Sequence, residues 1–311
     1  MKVLIADKLS TEAIERLRNG GASVDDRSGI EASELLKIIS GYQGLIVRSR
    51  TKVTADLLKA ASQLKVVGRA GVGVDNIDLA AARERGVAVV NTPSSTSVAV
   101  AELTFGLMLG MLREIPRADA GMKQGLWLKK DLEGTELAGM TLGILGVGNI
   151  GAQVARRAAV FDMRVLGFDP FLDEKKLRER GAQPSTLDQV YTESDLITLH
   201  LPLLPETRGM LDRHAFAKMK RGVYLVCAAR GGVINEGDLL AALNTGQVAG
   251  AALDVFEKEP PRLSALVSLP RVIATPHIGA QTAEAQARAA TDVADEVLNA
   301  LQGKPLRWQI K

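Results

Sequence analysis

Thr141–Asp169 reads TLGILGVGNIGAQVARRAAVFDMRVLGFD, the order of residue types expected of one complete β-α-β unit. TLGIL is a short apolar run suited to a buried parallel strand. Gly146, Gly148 and Gly151 follow with the spacing G-x-G-x-x-G. Val154, Ala155, Ala158 and Ala159 then recur as one face of a helix does, and RVLGF forms a second apolar run. Asp169 closes the unit about 20 residues past the third glycine, the station of the ribose-binding acid in a dinucleotide fold. The first glycine permits the tight turn, the second lets a pyrophosphate approach the backbone, and the third lets helix and strand pack closely. Phosphate would lie on the unpaired N–H groups and positive dipole end of the helix. The Asp169 carboxylate would accept hydrogen bonds from ribose hydroxyls and repel a 2′-phosphate, favouring NAD over NADP.

Working outward, strand-like and helix-like runs alternate on both sides of this unit. Before it come KVLIA, TEAIERLRNG, SELLKIIS, GLIVR, TADLLKAA, LKVVGRAG, NIDLAAARERG and GVAVVN. After it come DLITLHLP, HAFAKMKRG, VYLVCAARGG, NEGDLLAALNTGQ, VAGAALDV, RVIATP and a long final helix, TAEAQARAATDVADEVLNALQG, followed by a short tail. That rhythm predicts an α/β fold with doubly wound parallel sheets. SSTSVAVAELTFGLMLGMLREI reads as one long apolar helix, and DAGMKQGLWLKKDLEGTEL as an exposed connector. The chain of 311 residues suits two domains rather than one core. Because the cofactor unit starts mid-chain, the expected division is a discontinuous substrate domain, 1–96 and 284–311, and an NAD-binding Rossmann domain, 97–283.

Composition narrows the function classes. With 46% hydrophobic and 24% charged residues, the chain is globular rather than disordered. A net charge of +3, spread along the chain, offers no basis for a nucleic-acid or membrane partner. The opening MKVLIADKLS is broken by Asp7 and Lys8, too soon for a signal peptide, and Cys227 is the only cysteine. Neither a disulfide nor a cysteine-based metal site is expected, and the compartment implied is cytoplasmic.

Histidine is scarce: His200, His214 and His277. His214 lies in the charged run LDRHAFAKMK, and His200 interrupts an apolar strand. His277 follows RVIATP at a strand end, the edge where ligands bind in open α/β sheets, and is the best general acid/base. Arg230, after VYLVCAA, could grip a carboxylate with its bidentate fork. Glu259, in DVFEKEPP, could accept a hydrogen bond from the imidazole, orienting it and stabilising its cation. Gly71-Val72-Gly73 resembles a second glycine turn with Asn76 at the third glycine position. It reads as a poor dinucleotide site whose N–H groups could hold a small carboxylate.

The motifs GRAGVGVDNID (68–78), AELTFGLML (101–109), GTELAGMTLGILGVGNIG (134–151), GFDP (167–170), HLPLLPETRGM (200–210), AARGGVINEGDLLAAL (228–243), GAALDVFEKEPP (250–261) and TPHIGAQT (275–282) together resemble the D-isomer-specific 2-hydroxyacid dehydrogenases. The likeness covers essentially the whole chain and is strongest with members that oxidise D-3-phosphoglycerate. It implies that Arg230 binds the substrate carboxylate, His277 exchanges the hydroxyl proton, Glu259 tunes His277, and hydride passes between substrate C2 and NAD. NAD contacts implied are Gly146, Gly148, Asn149, Ile150, Gly151, Asp169, Ala228, Ala229, Asp254, Gly279 and Ala280. Substrate contacts implied are Arg48, Ser49, Arg50, Arg69, Gly71, Val72 and Gly73, with Lys129 and Lys130 as further phosphate candidates. A homodimer paired through the long helix around Glu102, or a homotetramer, is implied too. Leu201, Cys227 and Thr96 depart from the residues frequent at their positions (threonine, asparagine and asparagine) and bear on cofactor contact and substrate choice. The chain ends at Lys311, and the expectation is that it lacks the family's extra regulatory domains and serine feedback. Two rival readings share the motifs: a glyoxylate or hydroxypyruvate reductase, and a non-catalytic NAD-sensing corepressor.

Overall fold

The computed structural model describes residues 1–310, which divide into two compact units. The first holds Met1–Ser97 and the segment from Ala280 onward; the second is Val98–Gly279. No helix among the described residues is long and apolar enough to cross a membrane.

In the first unit the strands are β1 (Lys2–Ile5), β2 (Ser23–Asp26), β3 (Gly44–Val47), β4 (Val66–Arg69) and β5 (Ala88–Val90). Between them run α1 (Thr11–Asn19), α2 (Ala32–Ile38), α3 (Ala55–Ala60) and α4 (Leu79–Glu84). The sheet order is β2-β1-β3-β4-β5, all parallel, the flavodoxin-like arrangement. Side chains alternate across it, as strand geometry requires. Val3 and Ile5 enter one core with α1, whereas Leu4 enters the other with Leu35 and Leu58.

The second unit begins with α5 (Ser97–Leu112), whose first residue belongs to the first unit, and α6 (Ile115–Lys123). It continues with β6 (Thr141–Leu145), α7 (Asn149–Val160), β7 (Arg164–Phe168), α8 (Glu174–Glu179), β8 (Gln183–Pro184), α9 (Leu187–Glu193) and β9 (Leu196–Leu199). Then come α10 (Arg213–Lys218), β10 (Val223–Cys227), α11 (Glu236–Thr245), β11 (Val248–Leu253) and β12 (Val272–Ala274). The strands lie parallel in the order β8-β7-β6-β9-β10-β11-β12. The order in which the chain adds strands reverses between β6 and β9, the switch point at which a Rossmann sheet binds its ligand. Val154, Ala155 and Ala158 of α7 are buried, but Ala159 is exposed, so the helix face is narrower than the sequence pattern suggests.

The chain returns to the first unit through α12 (Ala283–Leu301) and β13 (Gln309–Ile310). The tail is not a loose end: β13 pairs antiparallel with β5, Gln309 opposite Val90. Its anchor is the buried Glu296 of α12, which accepts hydrogen bonds from Arg307 N (2.9 Å), Arg307 Nε (3.0 Å) and Trp308 N (3.1 Å). Three further elements differ from the sequence reading. β2, SVDD, is a polar edge strand without the apolar run that marks a buried one. The long helix stops at Leu112 because Glu114 takes a left-handed backbone (φ 50°), and α6, with Pro116 in its first turn, starts at Ile115 and runs into the expected connector. β9 ends at Leu199, so His200 stands beyond the strand rather than within it.

Candidate active site

The glycine turn of the second unit joins β6 directly to α7. Gly146 has φ +90°, and a Cβ there would lie 2.8 Å from the His200 carbonyl oxygen. A Cβ on Gly151 would lie 2.2 Å from the Gly146 carbonyl oxygen, so helix and turn approach as only glycine allows. A Cβ on Gly148 would meet nothing within 4 Å. Space therefore opens at the middle glycine, in front of the α7 N-terminus where Asn149 is exposed and Ile150 half-buried. That is the cradle a pyrophosphate requires. Asp169, just past β7, accepts from Val147 N (3.0 Å) and Phe171 N (3.0 Å), which hold its carboxylate beside the turn. Arg180 Nη1 donates to the Val147 carbonyl (2.7 Å) from the other side.

Arg230, Glu259 and His277 follow β10, β11 and β12, three neighbouring parallel strands, at their C-terminal edge. His277 Nδ1 and Glu259 Oε2 are 2.8 Å apart. Glu259 Oε1 also accepts from Phe256 N (3.2 Å), so both carboxylate oxygens have fixed partners. If Nδ1 carries the proton donated to Glu259, Nε2 is the nitrogen left to exchange a substrate proton. The side chains are 49% and 39% exposed, within reach of a ligand. His277 is held in a left-handed backbone (φ 52°), a costly conformation for a residue with a Cβ. Asp254 holds it there. This carboxylate, 1% exposed, accepts from Thr275 Oγ1 (2.6 Å), Ile278 N (2.8 Å) and Gly279 N (2.8 Å), spanning the histidine on both sides. Asp254 thus organises the histidine turn, a role the sequence reading missed when it assigned the residue to NAD contact alone. Its signal was a lone acid directly after an apolar strand.

Arg230 Nη1 donates to the Ala229 carbonyl (2.7 Å). Its turn fits because Gly231 lacks a side chain: a Cβ there would fall 1.7 Å from the Phe256 carbonyl oxygen, in the loop that carries Glu259. Ala228 and Ala229 are buried beside it. Glu236 N donates to Glu257 Oε1 (3.0 Å) and Glu257 N to Glu236 Oε1 (2.6 Å), tying the start of α11 to that loop.

The remaining candidates sort by burial. Burial pushes the His200 imidazole down to about 3, and its Nε2 lies 3.0 Å from Thr198 Oγ1, so it is a neutral structural group. His214 is exposed. Burial raises the Cys227 thiol to about 11, which removes it as a thiolate. Leu201 is buried against the Gly146 turn and Thr96 is buried in its own unit. Lys129 and Lys130 are exposed in the segment after α6.

In the first unit, Arg48, Ser49 and Arg50 follow β3, and Arg69 to Gly73 close β4, the strand beside it. Arg50 is heavily committed within the protein: Nε donates to Asp7 Oδ1 (3.0 Å), and Nη2 to the carbonyls of Ala6 (3.1 Å) and Ile30 (3.0 Å). The carbonyls of Gly71 and Val72 accept from Thr92 N (2.9 Å) and Asn91 Nδ2 (2.6 Å), which tie that loop to the segment after β5. Ala280 lies in this unit, beyond the unit boundary after Gly279.

Comparison with known proteins gives a consistent result. The NAD-binding domain of the D-isomer specific 2-hydroxyacid dehydrogenases matches residues 105–279. D-3-phosphoglycerate dehydrogenase of Homo sapiens is 48% identical over 305 residues, 98% of this chain and 57% of that protein. The enzyme of the same name from Archaeoglobus fulgidus is 44% identical over 308 residues, 99% of this chain and 58% of that protein. The chain therefore spans little more than half the length of these relatives. Among solved structures, a glyoxylate reductase from Paecilomyes thermophila superposes with a TM-score of 0.91 at 30% identity, covering 100% of this chain and 98% of the other.

Proposed function

The chain belongs to the D-isomer specific 2-hydroxyacid dehydrogenases and has NAD as its cofactor, and on that premise we propose that it oxidises D-3-phosphoglycerate to 3-phosphohydroxypyruvate, the entry to serine synthesis. The observation that carries the chemistry is the Glu259–His277 pair at the strand edge, 2.8 Å apart. Arg230 grips the substrate carboxylate and draws electron density from C2. His277 Nε2 takes the hydroxyl proton as the C2–H bond breaks and the C2–O double bond forms. Glu259 stabilises the resulting imidazolium and keeps the ring oriented. Bound NAD supplies the acceptor for the hydride leaving C2. The open backbone at Gly148 and the α7 N-terminus suit its pyrophosphate, and Asp169 suits an unphosphorylated adenosine ribose.

Arg48 and Arg69 are the proposed contacts for the substrate's anionic groups. Pairing of two copies through α5 is the proposed assembly, supported by the exposed apolar side chains Ile115, Met122, Leu126 and Trp127 that follow that helix. A second reading, reduction of glyoxylate or hydroxypyruvate, is favoured by the likeness to the glyoxylate reductase. The deciding experiment is NADH formation at alkaline pH with D-3-phosphoglycerate, D-glycerate and D-lactate, beside the reverse reaction with glyoxylate and hydroxypyruvate. Preference for the phosphorylated acid is the expected outcome. Preference for an unphosphorylated acid keeps the mechanism and discards the substrate, whereas tight NADH binding without turnover discards both.

A further inference from the structure

Among the arginines near the C-terminal edge of the first unit's sheet, the hydrogen bonds separate two roles. Asp7 lies just past β1, and its side chain is nearly inaccessible, at 5% exposure. Its hydrogen bonds run to the segment after β3, the neighbouring strand. Oδ2 accepts from Arg48 N (2.6 Å) and Thr51 N (3.2 Å), and Oδ1 from Thr51 Oγ1 (2.8 Å) and Arg50 Nε (3.0 Å). From the other flank, beyond β4, the Asn76 side-chain amide donates to the carbonyls of Arg48 (2.8 Å) and Thr51 (2.6 Å). Both backbone groups of Arg48 are therefore held by side chains from the strands on either side.

The sheet order explains why this works. β3 lies between β1 and β4, so the segment after it is the only one flanked by the loops of both. Arg50 adds a third tie, since its guanidinium joins Asp7 to the carbonyls of Ala6 and Ile30. The Arg48 guanidinium is in the opposite situation. Among the described residues it makes one long hydrogen bond, Nη1 to the Lys8 carbonyl at 3.5 Å. Burial lowers its affinity for the proton, against the pull of the Asp7 carboxylate. A half-buried cation with so little protein hydrogen bonding is poised to accept an anionic partner.

We infer that Asp7, Asn76 and Arg50 are positioning residues that clamp the Arg48 backbone, and that of the two arginines in this turn it is Arg48 that contacts the substrate anion. The inference rests on the reading of the chain as a D-2-hydroxyacid dehydrogenase. It withdraws Arg50 from the substrate contacts and gives Asn76 a function where a nucleotide turn would have glycine.

The test is calorimetric titration of the NADH complex of the full chain with D-3-phosphoglycerate, beside steady-state kinetics. Asn76→Ala and the exposed Arg50→Ala are chosen as substitutions that spare the core; Asp7→Asn serves as a third variant. Each should weaken D-3-phosphoglycerate binding and raise its KM about tenfold, within the range for coupled neighbours. Saturated kcat and NADH affinity should stay close to those of the unaltered protein. In an Arg48→Ala background the same substitutions should cause no further loss, because their effect passes through Arg48. Unchanged affinity, or losses that simply add to that of Arg48→Ala, would overturn the clamp. Failure of the unaltered protein to bind D-3-phosphoglycerate would overturn it as well. Binding with the non-additive pattern, but without turnover of any hydroxy acid, would retire the enzymatic reading alone and leave the clamp standing.

Discussion

Two glycine turns, one in each unit, leave a parallel strand in similar language and end differently. In the second unit α7 starts at Asn149, inside the G-x-G-x-x-G pattern, so its unpaired N–H groups face the turn. Gly151 makes this possible by letting the helix pass within contact of the Gly146 carbonyl. In the first unit the helix waits until Leu79, after the Asp78 cap, and is only six residues long. Asn76 occupies the third position there and spends its amide on the Arg48–Thr51 segment. The difference teaches that glycine spacing alone does not make a phosphate cradle. The helix must begin within the turn, and the third residue decides whether it can.

The largest expected effect tests the chemistry proposed for the second unit. His277→Ala should lower turnover about 10²–10⁴-fold, the usual contribution of a positioned acid/base, with NADH affinity preserved. Turnover that survived the change would remove His277 from its role.

The glycines sharpen the contrast next. Gly151→Ala forces a Cβ against the Gly146 carbonyl and should cost at least about 1–3 kcal/mol of stability, as overpacking does. Gly148→Ala meets open space and should change stability by no more than about 1 kcal/mol, while weakening NADH binding. Thermal melts and NADH titrations of both variants check the asymmetry; equal behaviour would mean the open side of the turn is not the cofactor's.

Asp169→Ala should reduce the preference for NAD over NADP by about tenfold to a hundredfold, the worth of a hydrogen bond to a charged group. Steady-state kinetics with both cofactors would show an untouched ratio if the carboxylate did not read the ribose.

The smallest expected effect probes the first unit's clamp through pH. Burial raises the Asp7 carboxyl, but hydrogen bonds from Arg48, Thr51 and Arg50 outweigh it and hold the group below its ordinary 3.8. A depressed carboxylate contributes stability above the unfolded value and loses it as pH falls through the folded one. Asp7→Asn should therefore destabilise at about pH 6, with the gap closing at pH values well below the ordinary carboxylate range near 3.9. Denaturant midpoints compared across that range would refute the assignment if the gap stayed constant.

Much of this was legible locally. The β-α-β unit, the parallel alternation and the strand-end stations of Arg230, Glu259 and His277 depend on hydrophobic period and spacing, which neighbouring residues set. The polar edge strand Ser23–Asp26 and the pairing of Gln309–Ile310 with β5 were not legible. An edge strand needs no apolar run, and the tail depends on Glu296, many residues earlier in the chain, for its anchor.

From residue order alone come an α/β chain with a dinucleotide turn, an acid at the end of the following strand and one histidine at the C-terminal edge of the sheet. Most of the partnerships among the charged groups are set by the folded sheet. It turned Asp254 into the brace of the histidine turn and tied Arg50 to Asp7 and to the carbonyls of Ala6 and Ile30, whereas the pairing of Glu259 with His277 was already expected from their strand-end positions. The reason is physical: hydrogen bonds are short-ranged and directional, so a carboxylate's partner is fixed by which strands lie side by side. That adjacency is a property of the sheet order, not of any one stretch of chain.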